Sequence, residues 1–189
     1  ITFGHLPRTQ EMVLAYIHDG KDTAENFTEA HNSGKDVSLQ ELEKIGVLYY
    51  KVETQEQLDR IAKERHYKNR DIVTLNLELF NNDIDAYNAK MQQFYKEHYH
   101  EDEEIRYIVE GEGYFDVRDK NEQWIRTKLY PQDMLILPAG IYHRFTLTSE
   151  LKYVKAVRLF QDEPKWEAIN RELNQSSEAR ETYLKQISV

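Results

Sequence analysis

The segment His98-Tyr99-His100-Glu101-Asp102-Glu103-Glu104 decides how the whole chain is interpreted, because it places two imidazoles and several carboxylates within one short stretch. Side chains two residues apart on an extended strand point to the same face. His98 and His100 can therefore point into one cavity, and Glu104 and Arg106 share their parity. We predict a metal site that begins here, with Glu104 as its carboxylate ligand.

A third imidazole lies in the segment Pro138-Ala139-Gly140-Ile141-Tyr142-His143. Pro138 and Gly140 favour a turn, after which His143 can enter the same cavity from a neighbouring strand. Three imidazoles and one carboxylate suit Fe(II), Ni(II) or Mn(II), and Zn(II) tolerates them. Both spacings occur together by chance in only about one or two per ten thousand sequences of this composition. The predicted ligands of a single metal ion are His98, His100, Glu104 and His143.

Two alternatives to this ligand set stay open. Asp102 has the same parity as Glu104, and the whole acidic run is also compatible with a solvated loop that binds nothing. The remaining histidines stand apart in the sequence without ligand spacing, so we interpret them as structural residues. They are His5, His18, His31 and His66.

Residues 98–160 show the pattern of short strands separated by turns. A strand over 105–110 ends at Gly111-Glu112-Gly113, which is typical of a tight turn. Several short strands with hairpin spacing predict an antiparallel barrel or sandwich. The further strand candidates are 114–118, 124–126, 134–137, 144–148 and 153–160.

The N-terminal part, 12–97, alternates strand and helix signals. Ser38 with Glu41, and Thr54 with Gln57, form capping boxes that each predict the start of a helix, and Gly46 suits the end of the first. Apolar residues at helical spacing after Asp83 predict a third helix that ends just before His98. Strands are predicted at 13–17, 48–52 and 72–75.

Pro164 predicts the start of a closing helix, as a proline in its first turn, with Trp166, Ile169 and Leu173 on the inner side. A last amphipathic stretch, 177–187, suits another helix. We therefore expect one domain over 12–189, with a barrel core at 98–160 and C-terminal helices at 164–187. Residues 1–11 are interpreted as a tag or a disordered extension.

The composition excludes several classes of protein. The 189 residues include no cysteine, which excludes disulfide scaffolds, cysteine-based zinc sites and thiol catalysis. A net charge of −9 argues against binding to nucleic acid. No apolar run approaches the ~18 residues of a membrane span, and residues 1–10 lack the features of a secretory signal.

The motifs resemble those of a known superfamily. His98-x-His100-x3-Glu104-x6-Gly111 resembles the first cupin motif, and Pro138-x-Gly140-x2-His143 resembles the second. Longer strings are similar to acireductone dioxygenases of the eukaryotic type, and the resemblance extends from about residue 13 to residue 171. It implies a mainly β protein with flanking helices, built as a cupin (double-stranded β-helix or jelly-roll) barrel with an α/β N-terminal half. The strings lie at 100–107, 113–119, 135–147 and 159–166.

The sequence departs from the cupin pattern at two positions. Gln132 stands where a glycine often opens the second motif, and Leu147 stands where an asparagine is often found. Because neither position supplies a ligand, we expect these departures to affect loop geometry and not chemistry.

The resemblance also implies the reaction. Family members cleave acireductone (1,2-dihydroxy-3-keto-5-methylthiopentene) with O2 in methionine salvage, and each chain holds one Fe(II) or Ni(II) ion. With Fe(II) the products are formate and 4-methylthio-2-oxobutanoate; with Ni(II) they are methylthiopropionate, formate and CO. Four protein ligands leave an octahedral ion two positions, which a bidentate enediolate fills, so we predict that the metal acts as a Lewis acid and template.

Three further residues are predicted to act on the substrate. Arg106 is the catalytic and substrate-binding candidate, because it can donate hydrogen bonds to an enolate oxygen. Phe94 and Phe145 match positions that flank the substrate in the family. The alternatives are an ion-paired arginine and two core aromatics.

Two other classes of function compete with the dioxygenase. One is another metal-dependent cupin enzyme, such as an isomerase of a small sugar or hydroxyketone, and the other is a non-catalytic cupin binding protein. We expect a monomer whose partners are acireductone and O2, with no nucleic acid and no membrane. The expected compartment is the cytoplasm, with the nucleus as a second location.

Overall fold

The computed structural model describes residues 14–163 and 167–188, and most of its regular structure is β-strand. In these residues the helices are α1 (Leu39–Lys44), α2 (Gln55–Glu64), α3 (Ile84–Tyr95) and α4 (Glu178–Ile187), with 3₁₀ turns at Leu77–Phe80 and Arg171–Leu173. The strands are β1 (Leu14–His18), β2 (Asn32–Asp36), β3 (Leu48–Lys51), β4 (Asn69–Asn76), β5 (His98–Tyr99), β6 (Glu104–Gly111), β7 (Gly113–Arg118), β8 (Trp124–Leu129), β9 (Asp133–Leu137), β10 (His143–Leu147), β11 (Tyr153–Phe160) and β12 (Ile169–Asn170).

The strands form two antiparallel sheets. One has the order β12-β5-β10-β7-β8-β1-β2 and the other the order β3-β9-β6-β11-β4. Strand β6 lies in one sheet and β7 in the other, so the chain changes sheets at Gly111 and Gly113. Gly111 has φ +78°, and a Cβ there would lie 2.2 Å from the carbonyl oxygen of Tyr153. Only glycine fits this crossing.

The main hydrophobic core lies between the two sheets and joins residues from both, such as Phe115 and Val117 on β7 and Ile108 on β6. A second cluster lies on the outer face of the five-stranded sheet, where Leu58 and Ala62 of α2 pack against it. The alternation of inward and outward side chains along β11 serves both clusters, since successive residues of a strand face opposite sides.

A row of buried charges crosses three strands of the larger sheet. Asp116 on β7 accepts hydrogen bonds from Nε of Arg126 at 2.8 Å and from Nε of Arg144 at 2.7 Å. Arg126 also donates to the carbonyl oxygen of Glu29 at 2.6 Å. Because Arg144 directly follows His143, this network fixes the strand that carries one of the predicted ligands.

Most of the predicted elements are confirmed. Both capping boxes are present, with Ser38 and Thr54 accepting from the backbone N–H three residues on, and α3 begins at its predicted cap, Asp83. The antiparallel barrel with flanking helices is confirmed as well. Gln132, the departure at the second motif, has φ +74°, so it adopts the left-handed backbone that the usual glycine would adopt more easily.

Two expectations about the organisation of the chain need correction. The barrel strands are not confined to 98–160, because β1 to β4 and β12 pair with strands of both sheets. The closing helix predicted from Pro164 is not found in the part of this segment that the structure describes. Ile169 pairs with Tyr99 as strand β12, because main-chain pairing with β5 outweighs helical propensity. Leu173 ends a 3₁₀ turn. Pro164 and Trp166 lie outside the described residues, as do residues 1–13 with the predicted extension, 1–11.

Candidate metal centre

The four predicted ligands come from both sheets. His98 on β5 and His143 on β10 are directly opposite each other in the antiparallel register. His100 follows β5, and Glu104 is the first residue of β6 in the facing sheet. The expectation that shared parity along one extended segment aims His98, His100 and Glu104 into the cavity is therefore wrong, because the chain turns between 100 and 104 and enters the other sheet. The expectation that His143 enters from a neighbouring strand is confirmed.

The structure brings the three imidazoles and the carboxylate together. The ring centroids of His98 and His143 are 4.4 Å apart, and those of His98 and His100 are 5.0 Å apart. One nitrogen from each of the three rings lies within 4.8 Å of the others. Oε2 of Glu104 is 2.5 Å from Nε2 of His143 and 3.8 Å from Nε2 of His100.

Backbone carbonyls set the tautomer of all three imidazoles. Nδ1 of His98 lies 2.6 Å from the carbonyl oxygen of Lys96, and Nδ1 of His143 lies 2.9 Å from that of Ile141. Nδ1 of His100 is 2.9 Å from the carbonyl oxygen of Glu167. A carbonyl oxygen only accepts, so Nδ1 carries the proton. Each Nε2 is left with a lone pair for a metal ion.

Two buried atoms of the cluster have no hydrogen-bond partner. They are Oε2 of Glu104 and Nε2 of His143, and they face each other at 2.5 Å. With Nδ1 of His143 protonated, both are acceptors with lone pairs, and their close approach requires a cation. The residues present therefore fit a divalent metal ion, whose preferred ligands include neutral imidazole and carboxylate.

The electrostatics keep His98, His100 and Glu104 in their ligating form at neutral pH. Burial, followed by the nearby His143, lowers the pKa of His98 to about 4, and burial also lowers the pKa of His100. Burial alone would raise the pKa of Glu104, but the Arg106 guanidinium outweighs it and holds this pKa well below its usual range. A metal ion would thus displace few protons on binding.

The other acids of the motif point elsewhere. Glu101 and Asp102 are exposed, and Glu103 accepts hydrogen bonds from Tyr67 at 2.7 Å and from Arg65 at 3.2 Å. Of the four consecutive acids, Glu104 is the one that the fold brings to the imidazoles.

The turn before His143 depends on one glycine. Gly140 has φ +86°, and a Cβ there would lie 2.5 Å from the carbonyl oxygen of Ala179 at the start of α4. The backbone N–H of Gly140 donates to the carbonyl oxygen of His100 at 2.9 Å. This hydrogen bond joins the second motif to the first. The left-handed backbone of Gly140 and its close approach to Ala179 explain why a glycine stands three residues before His143.

The imidazoles and Glu104 line a cavity of about 870 Å³ between the sheets. Arg106 lines it too, and its Nη2 lies 2.8 Å from Oε1 of Glu104. Phe94 on α3 and Phe145 on β10 also line the cavity, with ring centroids 6.1 Å apart in an edge-to-face contact. Apolar residues from four strands complete the wall; they include Val73, Leu75, Ile108, Phe115, Val154 and Ala156.

Sequence reasoning missed several residues of this cavity. Arg158 on β11 is opposite Arg106 in the register and also lines the cavity. The signal was the two-residue alternation of β11, which puts Arg158 on the same face as Ala156. The carbonyl of Glu167 that holds His100 had no signal, because it is distant in sequence and belongs to the segment expected to be helical.

A second group of histidines was wrongly taken to stand apart. The rings of His18 and His31 stack with centroids 5.0 Å apart, beside Asp19. Three of their four ring nitrogens have partners: His31 contacts Asp19 Oδ1 at 3.0 Å and Asn26 O at 2.8 Å, and His18 Nδ1 accepts from the N–H of Gly20. Nε2 of His18 is buried without a hydrogen-bond partner. This group joins a loop to β1 through hydrogen bonds. His66 ends the turn after α2 with φ +61°, and His5 lies outside the described residues.

Comparison with known proteins finds relatives along most of the chain. The model of the ARD/ARD' family matches residues 14–168. An acireductone dioxygenase of Candida albicans is 72% identical over 178 residues, which is 94% of this chain and 100% of the relative. An acireductone dioxygenase of Saccharomyces cerevisiae is 52% identical over 85% of this chain and 89% of the relative.

A solved structure shares the fold. It is described as acireductone dioxygenase from Bacillus anthracis with a cadmium ion in the active centre, and it matches with a TM-score of 0.63 and 24% identity. The match covers 84% of this chain and 98% of that one, which confirms the predicted cupin fold. Among the helices of the described residues, none has the length and apolarity needed to cross a bilayer.

Proposed function

The chain belongs to the ARD/ARD' family of acireductone dioxygenases, and on this premise we propose that it uses one divalent metal ion to cleave acireductone with O2. The observation that carries the proposal is the convergence of three Nε2 lone pairs and a buried carboxylate on one point. We assign His98, His100, Glu104 and His143 as the ligands. A metal ion bound there supplies Lewis acidity that favours the enediolate form of the substrate.

The ion is Fe(II) or Ni(II), one per chain. With Fe(II) the expected products are formate and 4-methylthio-2-oxobutanoate, and with Ni(II) they are methylthiopropionate, formate and CO. In both cases the carbon atoms of acireductone and both atoms of O2 are accounted for in the products. This reaction belongs to methionine salvage, since the keto acid formed with Fe(II) has the carbon skeleton of methionine.

Arg106 is the catalytic residue in this proposal. It is half-buried beside Glu104 at 2.8 Å, with 19% of its side-chain surface exposed, and it lines the cavity. From there it can donate hydrogen bonds to an enolate oxygen and favour the ionised substrate. An ion pair with Glu104 and a contact with substrate are compatible, because a guanidinium has five N–H groups.

Phe94 and Phe145 hold the substrate in place by contact with its carbon chain. Their rings lie on one wall of the cavity, and Phe145 also packs on Phe115 with centroids 4.9 Å apart. The methylthio tail is apolar, so burial against these rings and the aliphatic residues of β4, β6 and β11 stabilises it.

We also propose a compartment, an oligomeric state and partners for the enzyme. We assign it to the cytoplasm, with the nucleus as a second compartment, and expect a monomer that works alone on acireductone and O2. The net charge of −9 supports the expectation that it does not bind nucleic acid, since such a surface repels phosphates.

One assay tests the function directly. Protein loaded with Fe(II) or Ni(II) is mixed with acireductone without oxygen, air is then admitted, and the enediol absorbance is followed. We expect decay that depends on oxygen and on the protein. Conversion without oxygen would instead identify an isomerase, and no reaction with either metal would identify a binding protein.

A further inference from the structure

The charged side chains around the cavity are mostly cationic, although the chain as a whole has a net charge of −9. Apart from the imidazoles, the described charged residues that line the cavity are one carboxylate, Glu104, and four cations. The local field at the cavity is therefore opposite in sign to that of the whole molecule. The cations are Lys90, Lys96, Arg106 and Arg158.

Each of the two arginines is paired with a carboxylate. Arg106 lies 2.8 Å from Glu104, and Arg158 makes two contacts with Asp71, at 2.8 and 2.5 Å. These pairs neutralise much of the charge of each guanidinium. Among the side chains, the lysines therefore supply most of the excess positive charge of the cavity, in addition to the charge of a bound metal ion.

Lys90 lies in the middle of α3, and Lys96 is the C-cap residue of the same helix. Nζ of Lys90 is 4.9 Å from the centre of the Phe94 ring and 3.3 Å from Oε1 of Gln93, and no carboxylate within 14–163 and 167–188 pairs with it. Nζ of Lys96 is 3.6 Å from Oε1 of Glu172, but the side chains are 59% and 66% exposed, so this pair is weak. Lys96, at the C-cap of α3, offsets the partial negative charge at the end of the helix.

We propose that Lys90, together with Lys96, attracts the substrate into the cavity as an anion. The inference rests on the proposed function, because an enediol conjugated to a ketone is a vinylogous acid that ionises readily. A negatively charged protein repels such a substrate at long range, and local cations at a low-dielectric cleft reverse the field there and raise the rate of encounter. The lysines act before chemistry, on binding, and not on the reacting bonds.

The test is the salt dependence of turnover in the metal-loaded double variant Lys90→Glu with Lys96→Glu. At ~0.01 M ionic strength, where the Debye length is about 30 Å, we expect kcat/KM to fall about 10-fold. At ~1 M the Debye length is about 3 Å, and the difference from wild type should shrink to less than about twofold. The value of kcat should change by less than about twofold at either ionic strength.

The matched control is Lys44→Glu with Lys63→Glu, which makes the same charge change at two exposed lysines that do not line the cavity. We expect this control to lower kcat/KM by less than about twofold at ~0.01 M. A loss equal to that of the cavity variant, or a loss that salt does not relieve, would overturn the proposal.

A binding experiment separates this proposal from the proposed function. If wild-type protein does not turn over acireductone, the function fails, and the role of the lysines is decided by calorimetry with the 4-methylthio-2-oxobutanoate anion on nickel-loaded protein. Binding about 10-fold weaker in the cavity variant at low salt supports attraction by the lysines. Equal affinity in the two proteins refutes it.

Discussion

Replacement of Arg106 by alanine should impair turnover without emptying the metal site. The guanidinium donates to Oε1 of Glu104 at 2.8 Å and to the carbonyl oxygen of Ile105 at 3.0 Å, and its remaining N–H groups are available to the substrate. A hydrogen bond to a charged oxygen is worth about 1.5–3 kcal/mol. Its loss should therefore lower kcat/KM about 10- to 150-fold, with KM raised and kcat lowered.

The metal content is the second readout of this variant. The three imidazoles and the carboxylate of Glu104 remain, so we expect Arg106→Ala protein to retain close to the wild-type amount of metal. Arg106→Lys serves as the control, because it keeps the positive charge but loses the planar fork, and should lie between wild type and alanine. Steady-state kinetics give kcat and KM, and elemental analysis of the same samples gives the metal content. Loss of metal in the alanine variant, or unchanged kcat/KM, would refute the role given to Arg106.

Three other variants test the site and its support. Glu104→Gln removes the one anionic ligand, and chelator competition should show a metal affinity lowered by more than about 100-fold. This loss exceeds the one expected when a residue that only hydrogen-bonds to a ligand is changed. Unchanged affinity would mean that another carboxylate binds the metal. Asp116→Asn removes the carboxylate between Arg126 and Arg144 and leaves Arg144 only the longer contact with Asp22 at 3.7 Å. This change should cost about 3–5 kcal/mol in urea unfolding of metal-loaded protein. A cost below about 1 kcal/mol would mean that the row of charges is poorly coupled. Burial, and after it the charge of Arg126, lowers the pKa of His18 from 6.5 to about 4. As the pH falls, His18 is therefore protonated in the unfolded chain before it is protonated in the folded protein. The free energy of unfolding should decrease between about pH 6.5 and pH 4, by at most about 3 kcal/mol. His18→Gln should reduce this fall in unfolding measurements at both pH values, and an unchanged fall would contradict the buried neutral imidazole.

The proposed ligand residues could be selected from the sequence because their chemistry is local and their spacing is rare. His98, His100 and Glu104 lie within one short segment, and the turn predicted at Gly140 indicated that His143 could enter the same cavity. The reason given for their convergence was nevertheless wrong. A parity argument holds only within one strand, and the chain leaves β5 at His100 and enters the other sheet at Glu104. The turn between them depends on long-range packing.

The residues that support the site could not be predicted in the same way. The Asp116 network depends on the register of three strands, which places Arg144 and Arg126 on either side of it. In sequence each of these residues is an ordinary polar position in an alternating strand. The hydrogen bond between His100 and the carbonyl oxygen of Glu167 could not be predicted either, since backbone carbonyls have no sequence signature. In addition, the sequence pattern around Ile169 was typical of a helix.

The most direct test of the account counts the imidazoles around the metal. X-ray absorption of nickel-loaded wild-type protein should show the multiple-scattering signature of three imidazole ligands, and His100→Gln protein should show two. A wild-type spectrum with fewer than three imidazoles, or a variant spectrum identical to wild type, would mean that the ion is bound elsewhere and that this cluster of histidines is not the centre of the chemistry.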